Sequence, residues 1–157
     1  MSSNKRKVFE ELIYEVRRSQ NATDRFDQAV ADAIGINRTD LRCLDVIQRE
    51  WPVPAGRLAE QTGLTTGAIT TVLDRLERAG YARRVRDPND RRRVLVELTP
   101  LARERTGVIW GPFAEFRSVL AKYSVAELEL LRDFARMGRR YNEQRAAEVR
   151  DLRFEDG

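Results

Sequence analysis

The sequence predicts a mainly α fold carrying one small β-hairpin, and three observations lead there. Apolar residues recur at three- and four-residue spacing over most of the 157-residue chain. The period falls to two at Val94, Val96 and Leu98, and residues that start or stop helices sit at the seams between segments.

Residues 5–34 place Val8, Phe9, Leu12, Ile13 and Val16, then Phe26, Ala29, Val30, Ala33 and Ile34, on one side of a long amphipathic helix. A break is expected near "SQNAT" (19–23) and a stop at Gly35. Asn37, followed three residues later by Asp40, has the form of a capping box, and the second helix would bury Leu41, Leu44, Val46 and Ile47. That helix ends before Pro52, Pro54 suits the first position of a third helix, and Gly63 supplies a left-handed stop. Thr65 is the expected cap of a fourth helix, 65–79, with Ile69, Val72, Leu73 and Leu76 inward and Gly80 closing it.

Two strands follow, 81–86 and 93–99, joined at "DPND" (87–90), where Asp87 and Pro88 fit a type I turn. Thr99 and Pro100 open a helix with Leu101, Val108, Ile109, Phe113, Phe116 and Leu120 on one side and a bend at Gly111-Pro112. "SVAE" (124–127) is a second capping box, opening a last helix with a Leu128, Leu131, Phe134, Ala135 and Met137 stripe.

Composition narrows the function. The chain holds no histidine and one cysteine, Cys43, so an intrachain disulfide is excluded and the usual zinc, haem and Ser-His or Cys-His chemistries lose their central residue. Asp and Glu are scattered along helices rather than grouped near a glycine-rich loop, so neither an enzyme nor a cofactor is expected. No apolar run is long enough to span a bilayer and no signal peptide is evident at the N-terminus, which predicts a cytoplasmic protein with no membrane partner. The net charge of +4 suits an acidic partner, and it also serves solubility.

The order of elements in 37–99 is helix, helix, turn, helix, hairpin, which is that of a winged helix-turn-helix. The flanking stretches 1–36 and 100–157 form long helices with apolar sides that this unit is too small to cover, so they are assigned to dimerisation as a closed homodimer. On the fourth helix the outward side presents Thr66, Gly67, Thr70, Thr71, Asp74, Arg75 and Arg78. Small hydroxyl side chains let a helix approach base edges closely, and the helix start at Thr65 offers free N–H groups to a phosphate. The same threonines would also suit a plain solvated surface.

The hairpin weighs toward double-stranded DNA. Its tip carries Arg91, Arg92 and Arg93, and Arg83, Arg84 and Arg86 line the opposite strand. Strand alternation puts Arg92 on the side of Val94 and Val96, and Arg91 and Arg93 on the other. Arg92 is therefore expected to enter a minor groove or hold the tip, while its neighbours give general phosphate attraction. The alternative is a winged-helix protein–protein interaction module without sequence-specific DNA binding, its basic face meeting an acidic partner.

The stretch "LTTGAITTVLDRLERAGYARRVRDPNDRRRVLVELTP" (64–100) closely resembles the recognition helix and wing of the MarR family of bacterial transcription regulators, and "GINRTDLRCLDVI" (35–47) and the terminal helices fit the same family. The resemblance implies a homodimer bound to a near-palindromic operator, with half-sites about 10 bp apart, and a repressor released by a ligand. It assigns the family's wing Asp-x-Arg to Asp90 and Arg92. Two departures stand out: Thr71 occupies a position where members often carry arginine, and Thr65 one where some carry an acidic brace for the wing arginine.

The resemblance also implies a small, often aromatic, anionic effector. Tyr14, Trp51, Trp110, Phe113 and Phe116 are the aromatic candidates for its cleft, although aromatics at helical spacing more often serve as plain core. Some relatives sense peroxides through a cysteine in the first helix; Cys43 falls in the second, beside Leu44, where a buried inert thiol is expected.

Overall fold

The computed structural model describes residues 2–90, 93–110 and 113–152, with only the backbone of 110, 113–116 and 151. The elements run α1 (Ser3–Ile34), α2 (Arg38–Arg49), β1 (Val53–Pro54), α3 (Ala55–Thr62), α4 (Thr66–Arg78), β2 (Ala82–Arg86), β3 (Val94–Leu98), α5 (Pro100–Trp110), α6 (Phe113–Leu120) and α7 (Val125–Asp151). They form two compact units, Met1–Trp110 and Gly111–Gly157. The fold is mainly helical with a winged helix-turn-helix at its centre, as expected. The first unit is wider than 37–99, because the last turns of α1 and the first turns of α5 pack into the same core.

That core is apolar side chains from each element at helical or strand spacing: Val30, Ala31 and Ile34 of α1, Leu41, Leu44 and Ile47 of α2, Leu58 of α3, Ile69, Val72, Leu73 and Leu76 of α4, and Val96 and Leu98 of β3. All four residues assigned to the buried side of α2, and all four on α4, are buried. Tyr81 is buried at the junction of α4 and β2; its hydroxyl donates to the Ile34 carbonyl at 2.7 Å, tying that junction to the end of α1.

Several boundaries differ from the sequence reading. The break expected near residues 19–23 does not occur, and α1 is continuous over 32 residues. This segment contains neither proline nor glycine, and Thr23 keeps its hydroxyl within the helix by donating to the Ser19 carbonyl at 3.0 Å. Pro54 is not the first residue of α3. It belongs to β1, a two-residue strand pairing with β3 (Val53↔Val96, Pro54↔Leu95), and α3 starts at Ala55. The sheet order is β1-β3-β2, so Pro54, which has no N–H, lies on an edge strand where none is required.

The buried side of α5 is also rotated from its expected position. Val108 is 77% exposed, while Ala102 and Thr106 are inward, with Leu101 and Ile109 partly covered. In the second unit α7 opens with the expected capping box: Glu127 N–H donates to Ser124 Oγ at 3.3 Å, and Ser124 N–H donates to Glu127 Oε2 at 2.8 Å. The expected bend at Gly111-Pro112 lies outside the described residues. No helix among the described residues is long and apolar enough to cross a membrane.

Candidate nucleic-acid interface

The turn between α3 and α4 is set by Gly63, whose φ of 69° is left-handed and lets its N–H close the helix on the Ala59 carbonyl at 2.9 Å. Thr65 then caps α4, its hydroxyl oxygen accepting from the Ala68 N–H at 3.2 Å. The N–H groups of Thr66 and Gly67 make no hydrogen bond among the described residues, so the front of α4 presents free donors and the positive end of the helix. Thr66, Gly67, Thr70 and Thr71 are all exposed on this face.

The threonine hydroxyls are more committed than their exposure suggests. Thr70 Oγ1 donates to the Thr66 carbonyl at 3.1 Å and Thr71 Oγ1 to the Gly67 carbonyl at 3.2 Å. Their donors are spent on the helix, which leaves outward lone pairs and methyl groups. That pattern matches a base amino group and a thymine methyl.

Two arginines expected to face DNA are turned inward by carboxylates. Arg75 meets Asp40 in a bidentate pair, Nη2 to Oδ1 at 2.6 Å and Nε to Oδ2 at 2.9 Å. The Asp40 side chain is only 3% exposed, and Asn37 Nδ2 donates to its Oδ2 at 3.0 Å. The hydrogen bonding that Arg75 donates to Asp40 leads the causes that raise the Arg75 pKa. Arg84, from β2, donates Nη2 to Asp74 Oδ1 at 2.7 Å and to the Thr70 carbonyl at 3.1 Å, and its Nη1 meets Glu77. Its backbone N–H also donates to Glu77 Oε1, at 2.6 Å. Burial works to lower the Arg84 pKa, but the hydrogen bond to Asp74 and the charge of Glu77 outweigh it and the net shift is upward.

Arg83 is likewise paired, with Glu97 directly across the ladder at 2.7 Å. Arg78, Arg86 and Arg93 are exposed and form no ion pair among the described residues, so they carry the positive charge of the face. The tip is shaped by Asp87, whose Oδ1 accepts from the Asn89 N–H at 2.9 Å, and by the Arg93 N–H donating to the Asp90 carbonyl at 2.9 Å. Arg91 and Arg92 lie outside the described residues. The side expected to carry Arg92 leaves the core early, since Val96 is buried and Val94 is 43% exposed.

Asp40 and Glu77 were missed as contributors to this face. Asp40 was legible only as a cap residue, and Glu77 sits three residues beyond Asp74 with no pattern to mark it. Among the aromatic candidates, Tyr14 is exposed with Arg18 over its ring at 5.7 Å, and Trp51 is half exposed beneath Arg103 at 4.8 Å. A groove of about 670 Å³ runs between α1, the start of α2 and α4, past Asp32, Asn37, Thr71 and Arg75; neither Tyr14 nor Trp51 lines it. The side chains of Trp110, Phe113 and Phe116 lie outside the described residues. Cys43 is fully buried, and that burial pushes its thiol up from 9.0 to about 11.

A family model described as the MarR family matches residues 36–94. The uncharacterized HTH-type transcriptional regulator YcgE of Bacillus subtilis (strain 168) is 40% identical over 119 residues, which span 75% of this chain and 77% of that relative. Among solved structures, the transcriptional regulator BldR from Sulfolobus solfataricus matches with a TM-score of 0.57 and 26% identity, over 89% of this chain and 99% of its own. The PcaV transcriptional regulator from Streptomyces coelicolor, solved with its natural ligand, matches with a TM-score of 0.50 and 25% identity, over 78% of this chain and 86% of its own.

Proposed function

The chain belongs to the MarR family of transcription regulators, and from that premise we propose that it is a homodimeric repressor of a near-palindromic DNA operator, released by a small aromatic anion. The exposed face of α4 supports the operator reading: a free helix start, four small residues, and Arg78, Arg86 and Arg93 without ion pairs among the described residues. In this reading Thr66, Gly67, Thr70 and Thr71 meet base edges in the major groove, Thr65 positions the helix start, and Arg92, two residues after Asp90 in the wing, reaches the minor groove. Arg91 and Arg93 supply phosphate attraction. The effector rests on PcaV, which was solved with a ligand, and Tyr14, Trp51, Trp110, Phe113 and Phe116 remain its proposed contacts.

Selection of duplexes from a random pool tests the reading. A short inverted repeat should emerge, and log K should fall with log salt by about 0.9 per phosphate neutralised. Replacing Thr66, Thr70 and Thr71 with valine should abolish the preference for that duplex. No enrichment over random sequence would refute operator binding, and an unchanged preference in the triple variant would move recognition off α4.

A further inference from the structure

The apolar stripe of α4 holds the helix down without fixing its angle. Ile69, Val72, Leu73 and Leu76 are non-directional contacts, and a helix seated on four aliphatic side chains keeps some freedom to roll about its axis. The residues that would read bases lie on the opposite side, so a small roll changes which atoms they present. Directional contacts are needed to set the angle, and the structure supplies them on two adjacent residues, Asp74 and Arg75, about 100° apart around the axis. Asp74 is held from the wing by Arg84 at 2.7 Å. Arg75 is held from α2 by Asp40.

The second of these contacts is the more restrictive. Both Asp40 oxygens are engaged by Arg75 at 2.6 and 2.9 Å, and Asn37 Nδ2 donates to Oδ2 as well, at 3.0 Å. Asn37 is the cap of α2, and the preceding Ile36 N–H donates to the Ala31 carbonyl of α1 at 3.0 Å. The angle of α4 is thus referred back to the α1–α2 corner. Freeing Arg75 to reach a phosphate would strand a carboxylate that is 3% exposed, which opposes the exchange.

We propose that Asp40 and Arg75 are specificity-determining positioning residues: their buried pair sets the roll of α4, and with it the base edges that Thr66, Thr70 and Thr71 meet. This rests on the operator reading above. Arg75 then lies on the interface without acting as a phosphate contact. Thr71 stands one turn before Arg75 on the same stripe, so the side chain nearest the pair is the one whose aim it governs most directly.

The test compares Asp40→Asn, Arg75→Gln and the double variant on the duplex that wild-type protein selects. Each single change should weaken binding roughly tenfold, and the double should lose no more than either alone, the signature of one coupled pair. The salt slope of Arg75→Gln should equal that of wild type. A slope smaller by about 0.9, with Asp40→Asn binding normally, would make Arg75 a phosphate contact and overturn the proposal. Asp40→Glu keeps the charge and moves the carboxylate by one methylene, so a second selection with it should return a shifted consensus; an unchanged consensus overturns the proposal. Hydrogen exchange on free protein decides the pair without DNA. Asp40→Asn should speed exchange across residues 66–78 and leave α5 unaffected, and wild-type rates in α4 would sink the proposal. If wild type itself selects no duplex, the operator reading fails while exchange still reports on the pair.

Discussion

Cys43 is closed off by its surroundings. It has no exposed surface, and burial pushes its thiol up to about 11, so near neutral pH it carries no thiolate with which to meet an oxidant. A maleimide should label the folded protein only as fast as it unfolds. The raised value has a stability consequence with a definite sign. Between 9.0 and about 11 the unfolded chain gives up the thiol proton while the folded chain retains it, so this group's contribution is present below 9.0 and lost as pH rises through the folded value. Urea midpoints should therefore fall more steeply across that window for wild type than for Cys43→Ala; parallel curves would show the thiol to be more open than it is here. Burial of this residue was readable from its place beside Leu41 and Leu44. The partners of Arg75 and Arg84 were not, because ion pairs join residues 35 and 10 positions apart and no local periodicity encodes them.

At the scale of elements, local signals gave three of the caps but misplaced the start of α3 at Pro54 and put a break near residues 19–23 where α1 runs on. Asn37, Thr65 and Ser124 cap the helices they were expected to cap. Thr65→Ala should lower stability by about 0.5–2 kcal/mol by leaving the Ala68 N–H without its acceptor, and Thr65→Asp should hold it; equal midpoints for the two would remove the cap from the account. At α7 the Ser124 hydroxyl and backbone hold the Glu127 carboxyl below its ordinary 4.5, so the cap is at full strength above that value and weakens as pH falls through the lowered one. The elements that escaped are those whose form is set by distant contacts. A two-residue β1 has no period to detect and exists because β3 offers it an edge. On α5, Val108 is outward while Ala102 and Thr106 are buried, and Leu101 lies near Gly80.

For the molecule as a whole, the apolar surface on the terminal helices is the outstanding fact. In α1, Val8, Phe9, Leu12 and Ile13 are 40–55% exposed, and in α7 Leu131 and Met137 are 46% and 61% exposed. Faces of this kind fit a second copy of the chain, which is the dimerisation role assigned to 1–36 and 100–157. Sedimentation should find wild type as a dimer, and Leu12→Glu combined with Leu131→Glu should shift it to monomer with loss of duplex affinity. A variant that stays dimeric would place the interface elsewhere.

Arg84 has a consequence that reaches past the protein. By binding Asp74, Glu77 and the Thr70 carbonyl at once, it makes the helix and the first wing strand a single stiff caliper. On the operator reading proposed above, a fixed span would put any mismatch between the two grooves on the duplex, which would have to twist or narrow to fit. On that reading, base pairs that no side chain touches would enter the selection through their flexibility, and substitutions there should alter affinity without altering any contact.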